Sequence, residues 1–278
     1  MNAIPNFTPK IWAGGVLREL ENNLVAKQIC STKYEGEIKG KGDTVFFNGL
    51  ADPAIYSYTG TIPSYDTLVD AQVALLIDQA DMFKFQLDDV DKVQANVDVL
   101  ADHTRRAGYG LANNADKYIL GLHGDAGNTT SATVTSANVF STVAEIGRKL
   151  DENNVPMQDR HLVVPPWFAM KLKLANVKFS VNDGLKGGKG GYSFAEELGF
   201  KIYVSNNIVD TATTPVSKVI AVSSNAIVFA SQLMKVESGR LEGAFADYVR
   251  GLHVYGAKVV KPKEMVTCTA TYGAETTI

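Results

Sequence analysis

The side chains best placed to do chemistry gather in the run Gly184-Leu185-Lys186-Gly187-Gly188-Lys189-Gly190-Gly191. A phosphate-cradling loop needs a glycine, four residues, then Gly-Lys-Ser/Thr, because the hydroxyl holds the magnesium ion. Here Asp183 stands five before Gly188, and Gly190 follows Lys189 in place of the hydroxyl. The dinucleotide pattern fails as well, since Ser193 occupies the position of the third glycine. The run therefore reads as a solvated loop, and no cofactor is expected. His103, His123, His161 and His253 form no H-E-x-x-H pair. No G-x-S-x-G elbow presents a serine nucleophile. Cys30 and Cys268 have no metal-ligand spacing and read as small buried hydrophobes in a reducing compartment. No catalytic or metal residue is assigned, and the chain is not expected to be an enzyme.

Composition narrows the function classes further. The 278 residues are 45% hydrophobic and 21% charged, enough for one large or two modest folded domains. The net charge of -3 lacks the basic excess of a dedicated nucleic-acid binder. The N-terminus MNAIPNFTPKIW has no basic segment leading into an apolar one. No run of about 18 apolar residues is present, so no membrane span is expected. The chain reads as cytoplasmic, or as part of something assembled there.

Residues 1–35 suggest an arm with a short helix, with Thr8 as cap, Pro9 at the first turn and Leu17, Leu20 and Leu24 on one face. Thr44 to Phe47 reads as a strand. After about twenty residues rich in Asp, Pro, Gly, Thr and Tyr, Val69, Ala71, Val73, Leu75 and Ile77 alternate with polar residues. That is the period of a half-buried strand. The pair predicts a long two-stranded excursion, marginal alone in water and in need of support from a neighbour. Phe83, Phe85 and Leu87 resume the alternation. From Asp88 to His123 a stripe through Val90, Val93, Val97, Leu100, Thr104, Ala107, Leu111, Ala115, Tyr118 and Leu122 predicts one helix about 50 Å long. A linker rich in Thr and Ser should follow through Ser136.

The remainder reads as mixed α+β. Helices are expected over Val139–Leu150 and from Pro166 to about Leu174. Strands are expected at His161–Val164, Lys201–Val204, Lys218–Val222, Ala226–Phe229, Phe245–Val249 and Leu252–Val260. At the tip of the excursion Tyr56, Tyr58 and Tyr65 offer rings with polar ends, a composition suited to protein interfaces. Lys39, Lys41, Asp43 and Asp52 lie on the same excursion and are candidates for ion pairs between subunits.

This order of elements, with the stretches NFTPKIWAGGVLRELENNLVAKQ (6–28), GEIKGKGD (36–43), RHLVVPPWFAMKLKL (160–174), LGFKIYVSNN (198–207) and VRGLHVYGAKVVKP (249–262), resembles the major capsid proteins of tailed bacteriophages, the Hong Kong 97-like fold. The resemblance covers nearly the whole chain. It implies an N-terminal arm over 1–35, an extended loop over 36–80, and a peripheral domain over 81–124 and 244–278 built on the long spine helix. It places an axial domain over 125–243, with Lys186 and Lys189 in its loop. The arm, with Trp12 and Arg18, would lie along a neighbouring subunit, and the extended loop would reach over another.

The implied function is self-assembly, through pentamers and hexamers, into an icosahedral head shell enclosing double-stranded DNA, with only non-specific DNA contact. Only about 35 residues precede the extended loop, so a separate scaffolding protein is expected. A portal protein and a decoration protein are further expected partners, and no membrane is. An encapsulin-like compartment shell is the alternative within the fold. An enzyme using the 183–192 loop as a lid is the alternative outside it.

Overall fold

The computed structural model describes residues 25–33, 42, 44–49, 55–57, 60, 71–88, 99–180, 199–208, 210–211, 215–241, 243 and 246–274. Three sheets and one long helix organise them. Strands β1 (Thr44–Gly49) and β2 (Ala71–Leu76) form a two-stranded antiparallel ribbon. Strand β3 (Gln79–Asp88) follows directly and joins β9 (Ile227–Arg240) and β10 (Ala246–Val259) in a three-stranded antiparallel sheet of order β3-β10-β9. Strands β4 (Asn128–Val134), β5 (Arg160–Val164), β6 (Phe200–Val204), β8 (Val216–Ser223) and β11 (Met265–Tyr272) form the main sheet, of order β4-β11-β8-β5-β6. The two-residue β7 (Asp210–Thr211) pairs beside β8.

The helices are α1 (Val25–Ile29), α2 (Val99–Gly121), α3 (Val139–Glu152) and α4 (Pro166–Ser180). Helix α4 is the crossover between the parallel strands β5 and β6, the connection a parallel pair requires. Alternation along the main-sheet strands divides their side chains between two cores. Leu162, Val164, Val219, Ala221, Val266 and Cys268 pack with α3 and α4. Val163, Ile220 and Val222 point the other way and join Leu111, Ala112, Ala115 and Ile119 of α2, with Phe229 and Tyr255 of the three-stranded sheet. Strand β5 is thus buried along its whole length, its Leu162-Val163-Val164 run facing both cores.

Several sequence expectations are corrected. The stretch expected to be a linker contains β4, which runs parallel to β11. Its Thr and Ser residues alternate between half-buried and exposed, so an edge strand forms without an apolar signal. The expected strand 226–229 continues to Arg240, and the strands expected at 245–249 and 252–260 are one. Gly251 does not break β10 because it faces Phe83 across the pair; the irregularity against β9 falls at Leu252/His253.

Strand pairing crosses the expected boundary near 244. Strand β9, from the segment assigned to the axial domain, pairs with β10, while β11, from the peripheral segment, pairs with β8 and β4. Hydrogen bonding between distant strands decided both memberships. The helix expected from Asp88 is described from Val99, and 89–98 lie outside the described residues.

Candidate subunit interface

The ribbon is the element whose sequence least explains its own stability, and the structure shows what holds its base. Val73, Leu75 and Ile77 turn to one side, where Leu75 and Ile77 are fully buried with Val228, Ala230 and Val254. Gly42, at φ 94°, donates its N–H to the Ile77 carbonyl at 2.8 Å and closes the ribbon base. Lys258 Nζ donates to the Ala74 carbonyl at 2.8 Å. At Gly256 on β10 the ribbon backbone comes so close that a Cβ would lie 2.5 Å from the Leu76 carbonyl oxygen. Only glycine accepts that approach. Two hydroxyls brace the strand connection: Tyr118 donates to Asp78 at 3.1 Å and Tyr255 to Asp81 at 2.9 Å. Both phenols have raised pKa values, through burial first and the carboxylates second.

The ribbon also presents apolar surface to solvent. At its base Leu76 is 52% exposed, and further out Phe46 is 61%, Ile55 97% and Tyr56 55% exposed. Exposed apolar residues gathered on one element make it a candidate interaction surface. Of the sequence-derived contact candidates, Tyr56 is described and exposed. Trp12, Arg18, Lys39, Lys41, Asp43, Asp52, Tyr58, Tyr65, Lys186 and Lys189 lie outside the described residues.

The root of the expected arm packs on its own chain. Ala26, Ile29 and Cys30 are buried against α2 and β9. Ser31 donates to the Ile227 carbonyl at 2.8 Å and accepts from the Phe229 N–H at 3.0 Å. Asp116 of α2, buried, accepts from the N–H groups of Val25 at 3.2 Å and Ala26 at 3.1 Å. It therefore caps α1 from another helix. Burial raises its pKa to about 6 despite those two bonds. A carboxylate on the buried side of α2 has no signal in the apolar stripe.

The outer face of the three-stranded sheet was also missed. On β3, Met82, Lys84 and Gln86 are exposed and Phe83 and Phe85 half-buried. The alternation was visible, but its polar side carried no meaning until β10 and β9 supplied its neighbours.

The remaining titratable groups among the described residues serve packing contacts. Both cysteines are unbridged and buried, and burial pushes the Cys268 thiol up to about 11. His161 Nε2 lies 2.7 Å from Ser224 Oγ, and burial lowers its pKa. Lys171 is buried on α4, donates to the Gly273 carbonyl at 2.5 Å and sits 4.0 Å over the Tyr272 ring. Arg160 is buried with its guanidinium on Asp151 Oδ1 at 2.7 Å and the Pro156 carbonyl at 2.9 Å. These two cations pin loops and the C-terminal strand. Among the described residues no cluster of three metal-ligating side chains exists, and no helix is long and apolar enough to cross a membrane.

A solved structure from Mycobacterium phage Che8 superposes with a TM-score of 0.68 at 31% identity, covering 86% of this chain and 89% of that one. The capsid structure of cyanophage P-SCSP1u superposes at 0.63 with 18% identity, over 84% and 85% of the two chains. A virus-like particle from Pyrococcus furiosus superposes at 0.62 with 14% identity, over 93% and 98%. The last two share the fold. No curated protein matches the sequence. Residues 79–268, well over half of the chain, match the family described as phage capsid protein, and with the Che8 likeness this places the chain in the phage capsid protein family.

Proposed function

We propose that this chain is the shell-forming subunit of a tailed-phage head, that its role is structural rather than catalytic, and that its ribbon is the strap joining neighbours. The observation that supports it is a two-stranded ribbon anchored at its base and apolar beyond it, on a chain whose family is that of phage capsids. A shell subunit needs contacts spread over several neighbours, and projecting elements turn weak single contacts into strong collective ones. The six-stranded sheet with α3 and α4 corresponds to the axial domain. The three-stranded sheet with α2 corresponds to the peripheral domain. The arm beyond its clipped root, with Trp12 and Arg18, runs to a neighbour. The Lys186 and Lys189 loop belongs to the axial unit.

A scaffolding protein guides assembly in the host cytoplasm, a portal occupies one vertex, a decoration protein binds outside, and packaged DNA is touched without sequence preference. The 31% identity to a phage structure favours this role over an encapsulin-like compartment shell.

Negative-stain electron microscopy of the purified protein, with and without a candidate scaffolding protein, is the direct test. Uniform closed shells are expected. Replacing residues 48–68 by a short Gly-Ser turn should leave a folded subunit, by circular dichroism, that forms none. Normal particles from that variant would sink the strap reading.

A further inference from the structure

Ribbon and sheet are joined through Ile77 and Asp78, since β2 ends at Leu76 and β3 begins at Gln79. The torsions of these residues set how the ribbon stands on the sheet. Phenols tie the connection from two elements. Tyr118 of α2 donates to Asp78 within it at 3.1 Å, and Tyr255 of β10 donates to Asp81 just beyond it at 2.9 Å. The two rings meet edge to face, with centroids 5.6 Å apart.

His253 lies inside this arrangement. Register puts it directly opposite Asp81 on β3, with Leu233 of β9 on its other side. Its ring is fully buried, stacks on Tyr255 at 5.0 Å, and has no hydrogen-bond partner at either nitrogen. A buried polar group left without a partner costs stability, so an imidazole here is a poor choice for packing alone. The pairing of β10 with β9 is also irregular at Leu252/His253.

The groups that face the ring decide what a proton would do there. On β3 the facing group is Asp81. On β10 it is Tyr255, and on α2 it is Tyr118, which lies behind Tyr255 and is bonded to Asp78. The buried carboxylate of α2, Asp116, is spent on the Val25 and Ala26 N–H groups. Among the described residues the charge that bears on the ring is that of Asp81. An imidazolium carries two N–H donors and needs a counter-charge when buried. Drawing Asp81 onto the ring takes it from Tyr255; moving the ring out to water takes the stack apart. Either movement opens the tie between β3 and β10.

We propose that His253 is a proton-operated catch on the ribbon: proton uptake by its ring undoes the Tyr255–Asp81 tie and frees the connection at Ile77 and Asp78 to turn. The β1–β2 ladder contains none of the residues in this cluster, so the ribbon turns as a paired unit. The catch is a property of the single subunit and goes beyond the shell reading without depending on it. Linkage fixes its direction. Burial holds the ring's pKa near about 4 in the closed arrangement, against 6.5 in water. The open form therefore binds the proton more tightly, and opening gains as pH falls through that window.

Hydrogen exchange on unassembled full-length subunits tests it, read by mass spectrometry over residues 75–82 and corrected for the intrinsic pH dependence of exchange. The opening constant of this segment should rise about a hundredfold between about pH 7 and about pH 4, starting already below about pH 6.5, while β5 and β8 stay protected. His253→Phe keeps a ring on Tyr255 and removes the proton site, so it should flatten the rise. Tyr255→Phe keeps the stack and removes the donor to Asp81, so it should speed exchange over the same segment at neutral pH. A rise that begins only below about pH 4.5 belongs to carboxylates and overturns the catch. So does an undiminished rise in His253→Phe, or unaltered exchange in Tyr255→Phe. Should His253→Phe fail to fold, the onset of the rise in the wild-type protein decides by itself.

Discussion

His253 and Asp116 are both buried beside α2 or the three-stranded sheet, and they bend acid stability in opposite directions. His253 is fully buried on β10, its ring stacked on Tyr255 with centroids 5.0 Å apart and neither ring nitrogen hydrogen-bonded. Burial lowers its pKa to about 4, with the Asp81 charge opposing. Because the unfolded ring takes up a proton near pH 6.5 and the folded one does not, stability contributed by this group falls as pH drops from about 6.5 to about 4. Asp116 behaves conversely. Its folded pKa of about 6 lies above the ordinary 3.8, so the folded state binds the proton first and stability rises as pH falls through that window. Urea unfolding of unassembled protein at several pH values separates the two. His253→Phe should keep or gain stability on acidification, by on the order of 2 kcal/mol relative to wild type at the low end. Asp116→Asn should lose the compensating rise. Parallel pH profiles for both variants and wild type would remove the argument. Asp116→Ala, which orphans the Val25 and Ala26 N–H groups, should cost about 1–3 kcal/mol at neutral pH.

At the scale of elements, the ribbon depends on a close backbone approach at Gly256. In Gly256→Ala the new methyl meets the Leu76 carbonyl oxygen and the Ile77 Cα, both backbone atoms without rotamer freedom. The ribbon base must lift, at a cost of about 1–3 kcal/mol. Amide exchange at Leu75 and Ile77 should accelerate, while β5 and β8 amides keep their protection; unchanged exchange at Leu75 would refute a seat at Gly256. The ribbon's existence was legible in sequence because Val73, Leu75 and Ile77 alternate and are buried on one side. The main-sheet strands with apolar runs, such as His161 to Val164, were equally legible. Strand β4 was not, since NTTSATV has no apolar run and only Ala132 and Val134 mark its inner side. The far half of β9 was hidden because SQLMKVESGR is mostly polar, being held by its pairing with β10 rather than by burial. Which sheet claimed β9 and β11 depends on partners far along the chain, information no local period contains. The side bearing Lys84 and Gln86 could be read as polar, but that Arg250 of β10 stands opposite Lys84 follows only from the fold.

On the strap reading proposed above, a subunit gives its ribbon to one neighbour and receives one from another, and such a bifunctional monomer has a measurable consequence for mixtures. A subunit in which residues 48–68 are replaced by a short turn keeps the rest of its surface. It accepts a ribbon and offers none. Head-to-tail association closes into a ring only if every member does both, so each ribbonless subunit ends the chain that captures it. A closed ring of several members fails when any one position is filled by the truncated form. Shell yield in mixtures should therefore fall much more steeply than the wild-type fraction, since the probability of an intact ring is that fraction raised to the number of members. Sedimentation of shells from mixtures at fixed total concentration measures this directly. A steep, power-law loss supports the bifunctional strap. A yield that declines only in proportion to the wild-type fraction means the truncated chains stay outside the assembly, and the ribbon is then required for entry rather than for closure.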